Sequence, residues 1–117
     1  MLTRVLLIAV LVAACPGTSL ADDRSDARAQ VAFGITVAQQ GLWREAMYRW
    51  ERAAQLDPKY AAAHNNLAVA YEQQGMLDKA RGAYERALEL EPNNAMIRQN
   101  YEMFREINDR TTLRKAS

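Results

Sequence analysis

The chain repeats itself at a fixed interval of 34 residues. Pro58 and Pro92 stand that far apart, as do Gly41 and Gly75, Ala46 and Ala80, and Ala53 and Ala87. Gln39-Gln40-Gly41 recurs as Gln73-Gln74-Gly75, and Glu51-Arg52-Ala53 as Glu85-Arg86-Ala87. Residues 27–60 therefore lie on 61–94 without a gap. Such a period constrains the fold more than any local propensity. Each unit is too small to bury its own apolar face and must stack on its neighbour. The units are helical. Alanine, Leu, Arg, Gln and Glu dominate, and only five Gly and three Pro interrupt them. Each unit reads as one helical hairpin. Small residues let two backbones approach, and large ones fill the grooves beside them. Gly41 and Gly75 suit the left-handed residue that ends a helix. Asp57-Pro58 and Glu91-Pro92 end the second helix of each pair, with proline in a first-turn position of the next. The expected helices are 26–40, 43–56, 60–74, 77–90 and 95–109.

This spacing resembles the tetratricopeptide repeat. The small residues that family favours are Gly34, Ala46 and Ala53, then Ala68, Ala80 and Ala87. Its large apolar residues are Phe33, Val37 and Trp50, then Leu67, Tyr71 and Tyr84, and its proline is Pro58, then Pro92. Where the family usually has Trp, this chain has Gln30 and His64. The resemblance implies an all-α fold, antiparallel helical hairpins stacked as a short right-handed superhelix. The repeats are 27–60 and 61–94, and 95–109 forms a capping helix that begins a third repeat without finishing it. In that helix Glu102 replaces the small residue and Arg105 the large apolar one, as suits a surface facing water. Residues 110–117 are polar and expected to fray.

The first 21 residues read as an export signal. Arg4 supplies a positive start, and Val5 to Ala14 is an unbroken apolar run. That run is too short for a membrane helix, which needs about 20 residues. Pro16 and Gly17 break it, and Ser19-Leu20-Ala21 offers small residues for cleavage before Asp22, leaving 22–26 as a linker. A second reading overlaps the first. Val12-Ala13-Ala14-Cys15 resembles a bacterial lipobox, in which Cys15 is lipidated and only 1–14 is removed. Both readings place the protein outside the cytoplasm, in the periplasm or anchored to a membrane facing it. Neither leaves a transmembrane helix in the mature chain.

Charge and chemistry narrow the function. The formal charge is +1, and loss of Arg4 brings it to zero, so nothing draws the protein to nucleic acid or an anionic bilayer. A membrane is reached only through lipid on Cys15. One cysteine and one histidine, His64, complete neither a disulfide nor a transition-metal site. The glycines are scattered singly, and Ser25 has no histidine near it in sequence. Glu85, Glu89 and Glu91 with Arg81 and Arg86 read as a solvated outer face. The expectation is a binding protein, not an enzyme, with no cofactor and no metal.

The resemblance also implies where binding occurs. The first helix of each hairpin lines a concave groove. Carried onto this sequence, that groove holds Arg28, Val31, Ile35 and Gln39 in the first repeat. It holds Ala62, Asn65, Val69, Glu72 and Gln73 in the second, and Met96, Gln99, Met103, Glu106 and Ile107 in the closing helix. Aliphatic patches, methionines and amides suit a partner helix or an extended peptide. Some family members clamp a terminal carboxylate. Of their residues only Asn66 matches, so a chaperone C-terminus is not the expected ligand. The leading expectation is an adaptor of a bacterial envelope complex. The alternative is a self-associating structural protein, because two repeats bury a modest core that a homo-oligomer would enlarge.

Overall fold

The structure, a computed structural model, describes residues 19–117. The export signal, the lipobox and Cys15 fall on residues up to 18 and lie outside the described part. Five helices follow one another: α1 (Leu20–Gln39), α2 (Trp43–Leu56), α3 (Ala61–Gln73), α4 (Leu77–Leu90) and α5 (Ala95–Ala116). No strand occurs among the described residues. No helix among them is long and apolar enough to cross a membrane.

The repeated glycines make the repeated turns. Gly41 and Gly75 have φ of 79° and 71°, which a side chain would strain. Beside each, the same pair of bonds closes the helix. Gly41 N–H donates to Ala38 C=O at 2.9 Å and Leu42 N–H to Val37 C=O at 3.0 Å. Gly75 N–H and Met76 N–H donate to Glu72 C=O and Tyr71 C=O at 3.0 and 2.8 Å. Between hairpins the prolines sit outside the helices, not in their first turns. Tyr60 N–H donates to Asp57 C=O at 3.1 Å, and Asn94 N–H to Glu91 C=O at 3.2 Å, so Pro58 and Pro92 each lie inside a β-turn. The carbonyls they expose find donors one turn on. His64 Nε2 lies 2.8 Å from Pro58 C=O, and Arg98 Nη2 lies 2.7 Å from Pro92 C=O. His64 thus has a structural partner in the turn before its helix. Gln30 occupies the matching place in the first repeat, where no such turn precedes it among the described residues. Its Oε1 is buried without a partner.

Alanines set the spacing between helices. Ala27, Ala46, Ala53, Ala68, Ala80 and Ala87 are all completely buried. Trp50 and Tyr84 fill the space between the small residues. A tyrosine then ties each later helix to the one before it. Tyr71 donates to Glu51 at 3.4 Å, Tyr84 to Glu72 at 2.6 Å and Tyr101 to Glu85 at 2.9 Å. The helix α5 docks through Ile97, Tyr101 and Phe104, one stripe at helical spacing. Tyr84, Tyr101 and Phe104 stack there with centroids 5.5–6.3 Å apart.

Several expectations need correction. The segment 22–26 is helical, not a linker, because α1 starts at Leu20. Ser19 Oγ accepts from Asp22 N–H, and Asp22 and Asp23 sit favourably at the positive helix end. The segment 110–116 is helical too. Glu106 pairs with Arg110, and Arg114 and Lys115 complement the helix C-terminus. Phe33, expected in the core, is 46% exposed, whereas its counterpart Leu67 is 5% exposed. Leu67 is covered because α2 stands in front of α3. No helix stands in front of α1 among the described residues. Arg81, expected on the outer face, is half-buried, with its guanidinium 5.5 Å from the Phe104 ring centroid.

Candidate protein-binding groove

The hairpin geometry brings α3 and α5 side by side, both being first helices of their units. Asn100 Nδ2 donates to Asn65 Oδ1 at 3.2 Å and fixes their register. Beyond that bond the two helices leave adjoining hollows of about 180 and 200 Å³. Val69 and Glu72 line them from α3, Met103, Phe104 and Ile107 from α5, and Leu77 from the start of α4. Tyr84 forms part of the first hollow. Phe104 is buried, but Met103 and Ile107 are 53% and 60% exposed, so the rim is apolar surface facing water.

Asn100 in the first hollow and Asn108 and Thr111 in the second add polar edges, and one hydrogen-bonded pair, Tyr84 and Glu72, interrupts the lining. Tyr84 Oη donates to Glu72 Oε2 at 2.6 Å. Burial pushes the Tyr84 phenol far above its ordinary 10.0, and the hydrogen bond and charge of Glu72 push the same way. Tyr71 is raised by burial and then by Glu51. Tyr101 is raised by burial and by Glu85, against an opposing effect of Arg81. The folded state thus favours the neutral phenol. Its stabilisation is complete below pH 10 and is lost as pH rises through the elevated folded values. Urea titrations at stepped alkaline pH are expected to show stability falling above about pH 10. Tyr84→Phe should make that fall shallower, whereas parallel profiles for the two proteins would contradict the assignment.

Of the residues expected in the groove, the fold brings Val69, Glu72 and Met103 together, joined by Ile107. Val31 and Asn65 do not belong to the wall. They are 5% and 3% exposed. Val31 packs in the core, and its carbonyl accepts from Trp50 Nε1 at 3.1 Å. Asn65 is turned inward and spends its side chain on Asn66 and Asn100. Arg28 is exposed, but it lies over the Tyr60 ring, 5.2 Å from the centroid, beside a polar hollow with Arg24 and Lys59. Ile35, Gln39, Gln73, Met96 and Gln99 are exposed and line neither apolar hollow. Sequence reasoning missed Phe104 and Leu77. Phe104 falls where Ala70, also buried, falls in the second repeat, and that correspondence was the available signal. A larger hollow of about 490 Å³ lies at the α1–α2 turn, between Gly41–Glu45 and Gln74. Its lining is mainly turn backbone and exposed side chains.

Residues 61–94 match the family model described as tetratricopeptide repeat, and residues 34–75 match a second, described as TPR repeat. Together the matches run from 34 to 94, more than half of the 117 residues. A comparison with curated proteins found no match.

Proposed function

Because this chain belongs to the tetratricopeptide repeat family, we propose that it is an adaptor. It holds a helix or an extended segment of another protein in the groove between α3 and α5. The observation that carries this reading is the exposed apolar rim of Met103 and Ile107 over a floor of Val69 and Phe104. Nothing within the described chain covers it, and exposed apolar patches of this kind mark interaction surfaces. The setting proposed is a bacterial envelope complex. The apolar run Val5–Ala14 supports it, followed either by cleavage before Asp22 or by lipid on Cys15.

A photo-crosslinking side chain placed at Met103 in cells tests both parts. It should capture a defined partner that fractionates with the periplasm or the membrane. The same probe at Gln55, exposed on α2 away from the groove, should capture none. Met103→Lys with Ile107→Lys should then weaken the recovered complex about a hundredfold, since the charges would be buried unpaired. Unchanged affinity in a folded double variant would remove the groove from the account. A product found only in the cytosol would remove the envelope.

Self-association is the second reading. Phe33 and Tyr48 favour it, because both are exposed around the Arg49 guanidinium, which lies 4.6 and 5.7 Å from their centroids. Sedimentation across a concentration range separates the two, since only the second reading requires a rising mass.

A further inference from the structure

The groove is largely apolar, and Glu72 is the one charged residue among those that line it. Glu72 lines both hollows with the apolar Val69, Leu77, Met103, Phe104 and Ile107, and the remaining lining residues, Tyr84, Asn100, Asn108 and Thr111, are neutral. The only hydrogen bond to that carboxylate among the described residues comes from Tyr84 Oη, a neutral donor. It fixes the group in place, because the Tyr84 ring is held against Tyr101 and Phe104 at 5.7 and 5.5 Å. It does not neutralise the charge.

No Lys or Arg among the described residues pairs with Glu72. The ion pairs lie elsewhere: Arg49–Glu45, Arg86–Glu89 and Arg110–Glu106. The last of these satisfies Glu106, the matching residue of α5. The other two cations of α4 are spent on aromatic faces, Lys79 over Tyr71 and Arg81 over Phe104. A half-buried carboxylate in a largely apolar groove therefore waits without a counter-charge.

We propose that the groove selects a partner segment carrying one basic side chain between aliphatic ones, with Glu72 as the counter-charge. This rests on the groove being the binding surface. A wholly apolar segment would cover Glu72, strip its water and return nothing, which is a penalty against the wrong occupant. A Lys or Arg at the same place forms a charge-assisted hydrogen bond to the preset carboxylate. The flanking residues need only be aliphatic, because Met103 adapts its shape to them.

The test is selection from a display library of random linear peptides on the purified protein. Enriched peptides should share one Lys or Arg with aliphatic neighbours. Replacing that residue by norleucine should weaken binding about tenfold. On Glu72→Gln, which keeps an oxygen for Tyr84 Oη, the same replacement should change nothing. A measurement free of any variant supports this: affinity for the basic peptide should fall with salt, and affinity for its norleucine analogue should not. Enriched peptides that lack a basic residue, yet are lost on Met103→Lys with Ile107→Lys, would overturn this proposal and leave the groove standing. So would an equal norleucine penalty on Glu72→Gln. Peptides indifferent to the Met103 and Ile107 changes would overturn the groove as well.

Discussion

Gly34→Ala is expected to destabilise the protein by about 3 kcal/mol and to lower its thermal midpoint by roughly 15 °C. A Cβ at that position would lie 2.8 Å from Trp50 Cδ1 and Cε2 and closer still to its Nε1. The obstacle is the body of a buried indole, not the end of a flexible chain. The indole is also anchored, since its Nε1–H donates to Val31 C=O. The second repeat solves the same packing problem differently, with Ala68 and Tyr84 at the equivalent places. A larger small residue goes with a smaller large one. Trp50→Tyr alone should leave a cavity and cost about 1–2 kcal/mol. Combined with Gly34→Ala it should recover most of the loss, a coupling that a double-mutant cycle of urea melts would read. An unchanged melt for Gly34→Ala would mean that α1 and α2 do not approach as described.

Phe104→Ala is expected to cost about 3–5 kcal/mol, but to spend that cost unevenly along the chain. The helix α5 packs on one side only, through Ile97, Tyr101 and Phe104. Most of a helix's stability in a protein comes from the packing of its apolar face, and α5 has only this one. Loss of the central ring should release α5 before the two hairpins open. Hydrogen exchange should then show amides of 95–116 losing protection while those of α2 and α3 keep theirs. Peptide binding should vanish with the groove wall. Ile107→Ala, exposed on the same helix, is the matched comparison and should change stability by less than about 0.5 kcal/mol. Uniform loss of protection across all five helices would show that α5 and the hairpins form one cooperative unit.

The repeat made the hairpins, their turns and their alanine contacts readable, because each of these depends on residues near in sequence. What stayed hidden depended on neighbours. Phe33 and Leu67 occupy the same place in their repeats, and only the presence of a helix in front decides which is buried. The family exposes the position of Val31, which makes it wall by resemblance. Here it lies in the core with Trp50, whose indole N–H donates to the Val31 carbonyl. Asn65 is wall by the same resemblance, yet α3 lies between α2 and α4 and buries more than one face. In α5 the stripe Ile97, Tyr101, Phe104 is plain helical periodicity. The repeat alignment of the same segment is marked instead by Glu102 and Arg105, which face water. The early start of α1 had its signals in Ser19, Asp22 and Asp23, but they overlap residues read as a cleavage site.

The groove itself is most directly tested by methyl NMR of the protein titrated with a selected peptide. Binding between α3 and α5 should shift the methyl signals of Val69, Leu77, Met103 and Ile107 together and in proportion to occupancy. Leu42 and Met47, which lie at or on α2, should stay where they are. Saturable shifts confined to Leu42 and Met47, with Val69, Met103 and Ile107 unmoved, would contradict the account.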